Sequence, residues 1–191
     1  CIRDRDKGPS GILLSLERMN KIRSLNSEEN VITVEAGVIL SNLRDAAEEA
    51  KRIFPLSLAS EGTAQIGGNL ATNAGGVNVL RYGSTRNLCL GLEVVFADGS
   101  IWNSLSRLHK DNTGYDLKNL IIGSEGTLGI ITAATMKLFP KPLEHTVALI
   151  AVKSPKEALK LLSETKDYFG ETISAFELIN RMGVDFLNET K

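Results

Sequence analysis

The sequence predicts an α+β chain, and three observations predict it. Two apolar runs, residues 90–96 and 100–104, flank Asp98-Gly99. This marks an antiparallel hairpin, because glycine takes the positive φ that such a turn needs. Residues 41–52 set Leu43, Ala46, Ala47 and Ala50 at helical spacing, so one face is apolar. After Pro142 the pattern changes to strand, helix, strand and helix, which predicts a second unit over 143–191 following a first over 1–142.

The elements follow in order. Residues 1–11 are charged, carry Gly8, Pro9 and Gly11, and predict a loop. The short apolar run 12–16 predicts a buried strand. Residues 31–36 alternate Val31, Thr33, Glu35 against Ile32, Val34, Ala36, the pattern of a half-buried strand, and Gly37 breaks it. The 41–52 helix ends short of Pro55. Residues 57–87 show neither period and are dense in Gly, Asn, Ser and Thr, which predicts loops and turns. Beyond the hairpin, 106–115 is a polar connection and 116–122 a short helix entering Gly123. Residues 129–138 predict a strand closed by Pro140 and Pro142. A strand at 145–152 precedes Ser154-Pro155-Lys156-Glu157, where Ser caps, Pro fits the first turn and Glu completes a capping box. Ala158, Leu161, Leu162 and Phe169 form the stripe of that helix. A strand at 174–179 and a short helix to Leu187 complete the chain.

Composition narrows the function classes. The 191 residues carry 22 basic and 23 acidic side chains, so nothing in the charge favours nucleic acid or an anionic membrane. No apolar stretch approaches the ~20 residues of a membrane-spanning helix. Cys1 and Cys89 make no CxxC pair, so a reducing compartment is expected, with Cys89 as a core thiol. The chain starts with Cys, shows no signal or transit peptide and stops at Lys191, so a fragment of a longer protein is expected.

Twelve of the 17 glycines lie between Gly62 and Gly129, a concentration that scattered turns do not produce. They group as Glu61-Gly62-Thr63-Ala64-Gln65-Ile66-Gly67-Gly68-Asn69, as Thr72-Asn73-Ala74-Gly75-Gly76, and as Gly123-Ser124-Glu125-Gly126-Thr127-Leu128-Gly129 followed by Ile130. Without a Cβ, successive amides can face one cavity and donate to phosphate or flavin oxygens. Two phosphate motifs are excluded. No Gly-Lys-Ser/Thr tripeptide occurs, as a Walker loop requires. The glycines at 123, 126 and 129 are spaced G-x-x-G-x-x-G and run into a strand, not a helix. The residues alone leave two readings open: a nucleotide-binding wall, or tight turns at a sheet edge.

The clusters and the segments between them resemble the FAD domain of the FAD-linked oxidases related to vanillyl-alcohol oxidase. The resemblance rests on Val34-Glu35-Ala36-Gly37-Val38, Gln65-Ile66-Gly67-Gly68-Asn69, Arg81-Tyr82-Gly83, Gly91-Leu92-Glu93-Val94-Val95, Ala97-Asp98-Gly99 and Gly123-Ser124-Glu125-Gly126-Thr127-Leu128-Gly129. Residues 69–76 and 110–118 resemble the D-2-hydroxyglutarate dehydrogenase branch, with its glycolate-oxidase-subunit-like members. The resemblance implies the second subdomain of the FAD domain, a mostly antiparallel sheet flanked by helices, followed by the start of an α+β substrate (cap) domain. It implies that the pyrophosphate loop of the first subdomain is missing here. It implies FAD lined by Ser60, Glu61, Gly62, Thr63, Gln65, Ile66, Gly67, Gly68 and Asn69. Thr72, Asn73, Ala74, Gly75 and Gly76 would pass near the isoalloxazine, with Glu125, Gly126, Gly129 and Ile130 toward the ribityl–adenine side.

The implied reaction oxidises a D-2-hydroxy acid to the 2-oxo acid, with hydride passing to flavin N5 while a base takes the hydroxyl proton. An external electron acceptor is implied, a homodimer is compatible, and the location is cytoplasmic, or the mitochondrial matrix in a eukaryote. The family's catalytic and metal-binding histidines fall in later parts of such chains. Here there are only His109 and His145, read as surface or hinge residues, so no catalytic or metal-ligating residue is assigned. Arg81 and Tyr82 read either as substrate or flavin contacts or as loop anchors, Lys110 and Asp111 as solvated charge or a loop reaching the site, and Trp102 as packing. The isolated chain is expected to be inactive and to bind FAD weakly. The alternatives are an FAD-linked oxidase of another substrate class or a non-catalytic module keeping the fold.

Overall fold

The computed structural model describes residues 13–189. The reading of residues 1–11 as a loop lies outside them, as does Cys1. The centre is a five-stranded antiparallel sheet in the order β1 (Ile22–Asn26), β2 (Val31–Glu35), β6 (Ile130–Lys137), β4 (Cys89–Val95), β5 (Ile101–Ser104). Helix α1 (Leu40–Glu49) buries Leu40, Leu43 and Ala47 against Ile32, Val34, Leu92 and Met136 in one core cluster. A two-stranded ribbon, β3 (Arg52–Ile53) with β7 (Phe139–Pro140), adjoins it.

The hairpin forms as expected. Gly99 sits at φ 82°, its amide donates to Phe96 O at 3.0 Å, and Phe96 N donates to Ser100 O at 2.9 Å. Asp98 Oδ1 secures the turn by accepting from Ser100 N at 2.9 Å.

Several expectations are corrected. Strand β2 is covered on both faces, not half-buried: Ile32 and Val34 enter the core cluster, while on the other face the hydroxyls of Thr33 and Thr135 meet, buried, at 3.2 Å. The cover on that face comes from the polar connection after β5. It crosses so close that an alanine Cβ at Gly91 would lie 2.3 Å from Ser104 O and 2.5 Å from Ser106 N. It then reaches the opposite edge, where Arg107 meets Ser24 Oγ at 3.4 Å and His109 Nε2 lies 3.3 Å from Glu29 O. Beside this crossing, Arg23 bridges Glu35 and Glu93, and its hydrogen bond holds the Glu93 carboxyl below the usual carboxylate range.

Residues 13–16 form no strand. Leu13 is 78% exposed and only Leu16 packs on the core, because the chain turns at once, Met19 N donating to Leu16 O at 2.9 Å. Within 57–87 three short helices replace the expected loops: α2 (Ile66–Ala71), α3 (Val79–Tyr82) and α4 (Thr85–Leu88). None is long enough to reveal a 3.6-residue period.

The 116–122 helix appears as α5 (Leu117–Ile121), capped by Asp116 accepting from Asn119 N at 3.3 Å. Helix α6 (Pro155–Phe169) starts at Ser154, whose Oγ accepts from Glu157 N at 3.3 Å. The Glu157 carboxylate reaches back to Lys153 N, one residue short of the expected box. The strands expected at 145–152 and 174–179 are absent: both stretches are irregular, and Leu149 is 95% exposed. A strand without a partner gains no ladder hydrogen bonds and does not hold its form in water. Helix α7 (Arg181–Glu189) ends the described chain.

Cys89 is a core thiol, as expected, and burial pushes it up to about 12. A thiol whose folded pKa lies above its unfolded value contributes stability at lower pH, and that contribution is lost as pH rises through roughly 9 to 12. Urea midpoints measured across this window should therefore fall more steeply for the native chain than for Cys89→Ala. Parallel slopes would contradict this.

Candidate functional site

The glycine clusters meet at the end of α2. Gly123 N donates to Leu70 O at 3.0 Å, Glu125 N to Ala71 O at 2.9 Å, and Ala74 N to Asn69 O at 2.8 Å. Asn73 takes the left-handed region at φ 49° and turns its Oδ1 toward Ser84 Oγ at 2.9 Å and Arg86 N at 3.0 Å. The Arg86 guanidinium then donates to the carbonyls of Asn119 and Ile122, at the end of α5. One arginine thus fastens the 72–76 segment to the 123–129 segment. Sequence reasoning missed Arg86, which lies in no glycine cluster. The one local signal is the capping box Ser84-x-x-Asn87 that starts α4.

The glycines sort by what a side chain would meet. At Gly67 an added Cβ would lie 2.7 Å from Ala36 Cβ, at Gly76 2.3 Å from Ser57 O, and at Gly129 2.6 Å from Val94 Cγ1. Those three answer to the chain's own packing. Gly126, at φ 81°, answers to its backbone conformation, as does Gly123 at φ 85°. Gly62 and Gly68 have nothing within 4 Å of the same position and are exposed, and Gly75 has only Val79 Cγ2 at 3.5 Å. Gly68 lies inside α2, where glycine is about 0.5–1 kcal/mol worse than alanine. The fold itself gives no reason for glycine there; a ligand lying against the backbone does.

The remaining candidates divide. The Ser60–Thr63 turn closes by Thr63 N donating to Ser60 O at 3.0 Å. Glu61 pairs its carboxylate with Arg44 of α1, in a cavity of about 380 Å³ that no glycine lines. Its side chain is thereby occupied, and the backbone is what Glu61 offers to a ligand. Gln65 precedes α2, and Ile66 is wholly buried in the core. Thr72 Oγ1 donates to Gly68 O at 2.9 Å, beside the exposed Gly68. Asn69 is 95% buried, yet its Nδ2 has no hydrogen-bond partner. A buried amide donor without an acceptor costs about 1–3 kcal/mol, so an acceptor at this position answers a need the chain leaves open. Glu125, at φ 53°, and Gly126 form the turn that leads to Gly129 and Ile130 at the head of β6.

Exposed glycine backbone, flanking hydroxyls and this orphan donor fit a large polar ligand rich in acceptors, as FAD is. Among the described residues no group of His, Cys, Asp and Glu is arranged to hold a metal ion. No helix among them is long and apolar enough to cross a membrane. Tyr82 packs edge-on against Phe139, ring centroids 4.8 Å apart, with Arg81 over its ring at 5.0 Å. Trp102 packs on the core, while His145 is exposed.

Comparison with known proteins identifies the family. Residues 4–104 match the FAD binding domain family. The chain is 48% identical over 169 residues to the bovine mitochondrial D-2-hydroxyglutarate dehydrogenase, covering 88% of this chain and 31% of that protein. It is 44% identical over 176 residues to the Arabidopsis thaliana mitochondrial D-2-hydroxyglutarate dehydrogenase, covering 92% of this chain and 32% of that one. It is 39% identical over 174 residues to a D-2-hydroxyglutarate–pyruvate transhydrogenase of Saccharomyces cerevisiae, covering 91% and 35%. The chain therefore spans about a third of the length of these relatives. Among solved structures, alkyldihydroxyacetonephosphate synthase superposes with a TM-score of 0.57 at 28% identity, over 67% of this chain and 22% of that one.

Proposed function

The chain belongs to the FAD-binding domain family, and on that premise we propose that it forms one wall of the flavin site of a D-2-hydroxy-acid dehydrogenase. The observation that carries this reading is the exposed, contact-free Gly68 inside a helix, next to the buried and unpartnered Nδ2 of Asn69. Residues 1–142 are the partial FAD-binding unit and residues 143–191 the start of the substrate unit. The wall consists of residues 60–63, 65–69, 72–76, 125, 126, 129 and 130, with Glu61 contributing backbone.

When bound, the flavin supplies the two-electron acceptor for the α-hydrogen of a 2-hydroxy acid. The chain's own residues bind and orient it. Gly62 and Gly68 allow close approach of the backbone, Asn69 donates from Nδ2, and Thr63 and Thr72 edge the wall with hydroxyls. Arg86 holds the two glycine loops in one surface. Backbone donors fixed in advance favour negative charge on a bound ligand without reorganising. No residue of the chain is assigned as the catalytic base. The relatives' names support 2-hydroxyglutarate as the substrate class and a mitochondrial location in a eukaryote. An external electron acceptor completes the turnover.

The test is a fluorescence titration of FAD into the purified chain and into Gly68→Ala. The native chain should bind weakly and saturably, because it supplies one wall only. Gly68→Ala should bind at least about tenfold more weakly, while its folding stability stays equal or rises by about 0.5–1 kcal/mol. Equal affinity in the variant would remove Gly68 from the wall. Tight stoichiometric uptake by the native chain would contradict the partial-site reading.

A further inference from the structure

Beneath the connection that follows β5 lies a cavity of about 330 Å³, set against Cys89, Trp102 and Lys137 of the sheet. It shares no lining residue with the glycine wall. Its lining includes Lys110, Lys118 and Lys137, together with His109, Asp111 and Asp116. Both carboxylates are engaged locally. Asp116 holds Lys118 at 2.7 Å and caps α5, while Asp111 accepts from Thr113 N at 3.1 Å. The side chains of Lys110 and Lys137 make no hydrogen bond or ion pair among the described residues. The lining thus carries three cationic and two anionic side chains, around a space large enough for a small molecule. Ser104 and Thr113 add hydroxyls to the same lining.

We propose that this cavity binds a small oxyanion, a carboxylate or phosphate group, with Lys110 and Lys137 as the cations available to it. Lys137 carries the greater part. Burial first, and the neighbouring Lys118 second, pull its ammonium below the ordinary lysine range. A bound anion relieves both effects, since it replaces lost solvation and offsets the like charge. Charge-assisted hydrogen bonds from ammonium to oxyanion are the stronger kind. The site stands independently of flavin binding, because neither its residues nor its test involves the glycine wall.

The test is an amide NMR titration of the 191-residue chain with inorganic phosphate and, separately, with malonate, at fixed ionic strength. Saturable shifts are expected at residues 109–118 and 137. Lys137→Met should weaken binding about tenfold, whereas Lys160→Met, on the exposed face of α6, should leave it unchanged. Tighter phosphate binding identifies a phosphate ligand, and tighter malonate binding a carboxylate ligand. Linear, unsaturable shifts, or equal losses in the two variants, would overturn the site. Should Lys137→Met not fold, pH titration of the native Lys137 Nζ decides: phosphate raises its pKa if the site exists and leaves it unmoved if it does not.

Discussion

Gly76→Ala is expected to lose about 3–5 kcal/mol of folding stability, with a urea midpoint lowered at unchanged slope. Two costs add. The backbone at Gly76 stands at φ 89°, a conformation that costs an L-residue about 1–2 kcal/mol. The new methyl would also lie 2.3 Å from Ser57 O, which is backbone and has no rotamer to yield. This glycine belongs to the segment assigned to the flavin, yet the chain needs it with no flavin present. Gly68→Ala makes the opposite case, with no contact within 4 Å. The pair separates glycines kept for the fold from glycines kept for a ligand, and a stability loss at Gly68 as large as at Gly76 would collapse the distinction.

Arg86→Ala is expected to cost about 2–4 kcal/mol and to loosen the junction between the glycine loops. The guanidinium donates to two carbonyls, and one of these belongs to Ile122, which is buried. Removing the donor leaves a part-buried carbonyl without its partner. Arg86→Lys should recover little, because a single ammonium cannot span two acceptors as the planar fork does. Hydrogen exchange provides the local reading: the amides of Gly123 and Glu125, bonded to Leu70 O and Ala71 O, should exchange faster in both variants. Unchanged protection there would show that the loops hold together without the arginine.

Much of the architecture was legible because it lies in local chemistry. The Asp98-Gly99 turn, the α1 stripe and the Ser154 cap each rest on residues within a few positions of one another. What was missed depends on distance along the chain. Nothing near Val31 or Thr33 shows that residues 104–109 will return to cover their face of the sheet. Strand β1 carries Arg23, whose partner Glu93 lies in another strand, so its polarity resembles that of a loop. The helices α2, α3 and α4 have four to six residues each, too few to register a period. The stretches 145–152 and 174–179 err the other way. Their apolar content is that of strands, but a strand exists through its neighbour, and that neighbour is not encoded in the stretch itself.

The glycine wall was legible as a composition and not as a surface. Spacing located the three clusters, and resemblance named their ligand. Neither separates Gly67, pressed on Ala36, from Gly68, which faces open space one residue later. That difference follows from which side of α2 meets β2, a property of the assembled sheet. The same holds for Glu61: its place among the glycines marks it for the ligand, while α1 brings Arg44 to its carboxylate.

The uncovered stretch after Pro142 also bears on how this chain survives in solution. Residues 147–152, Val-Ala-Leu-Ile-Ala-Val, are six uncharged apolar residues, three of them β-branched, with Val147 and Leu149 almost fully exposed. A segment of that length and kind is what stacks, copy upon copy, into cross-β fibrils. It is guarded at both ends, by Pro140, Pro142 and Glu144 on one side and by Lys153 and Pro155 on the other. Proline cannot donate to a growing ladder, and stacked like charges repel, so each flank resists extension of the stack. The prolines and charges on either side of this stretch therefore serve a second purpose, as gatekeepers of an adhesive segment.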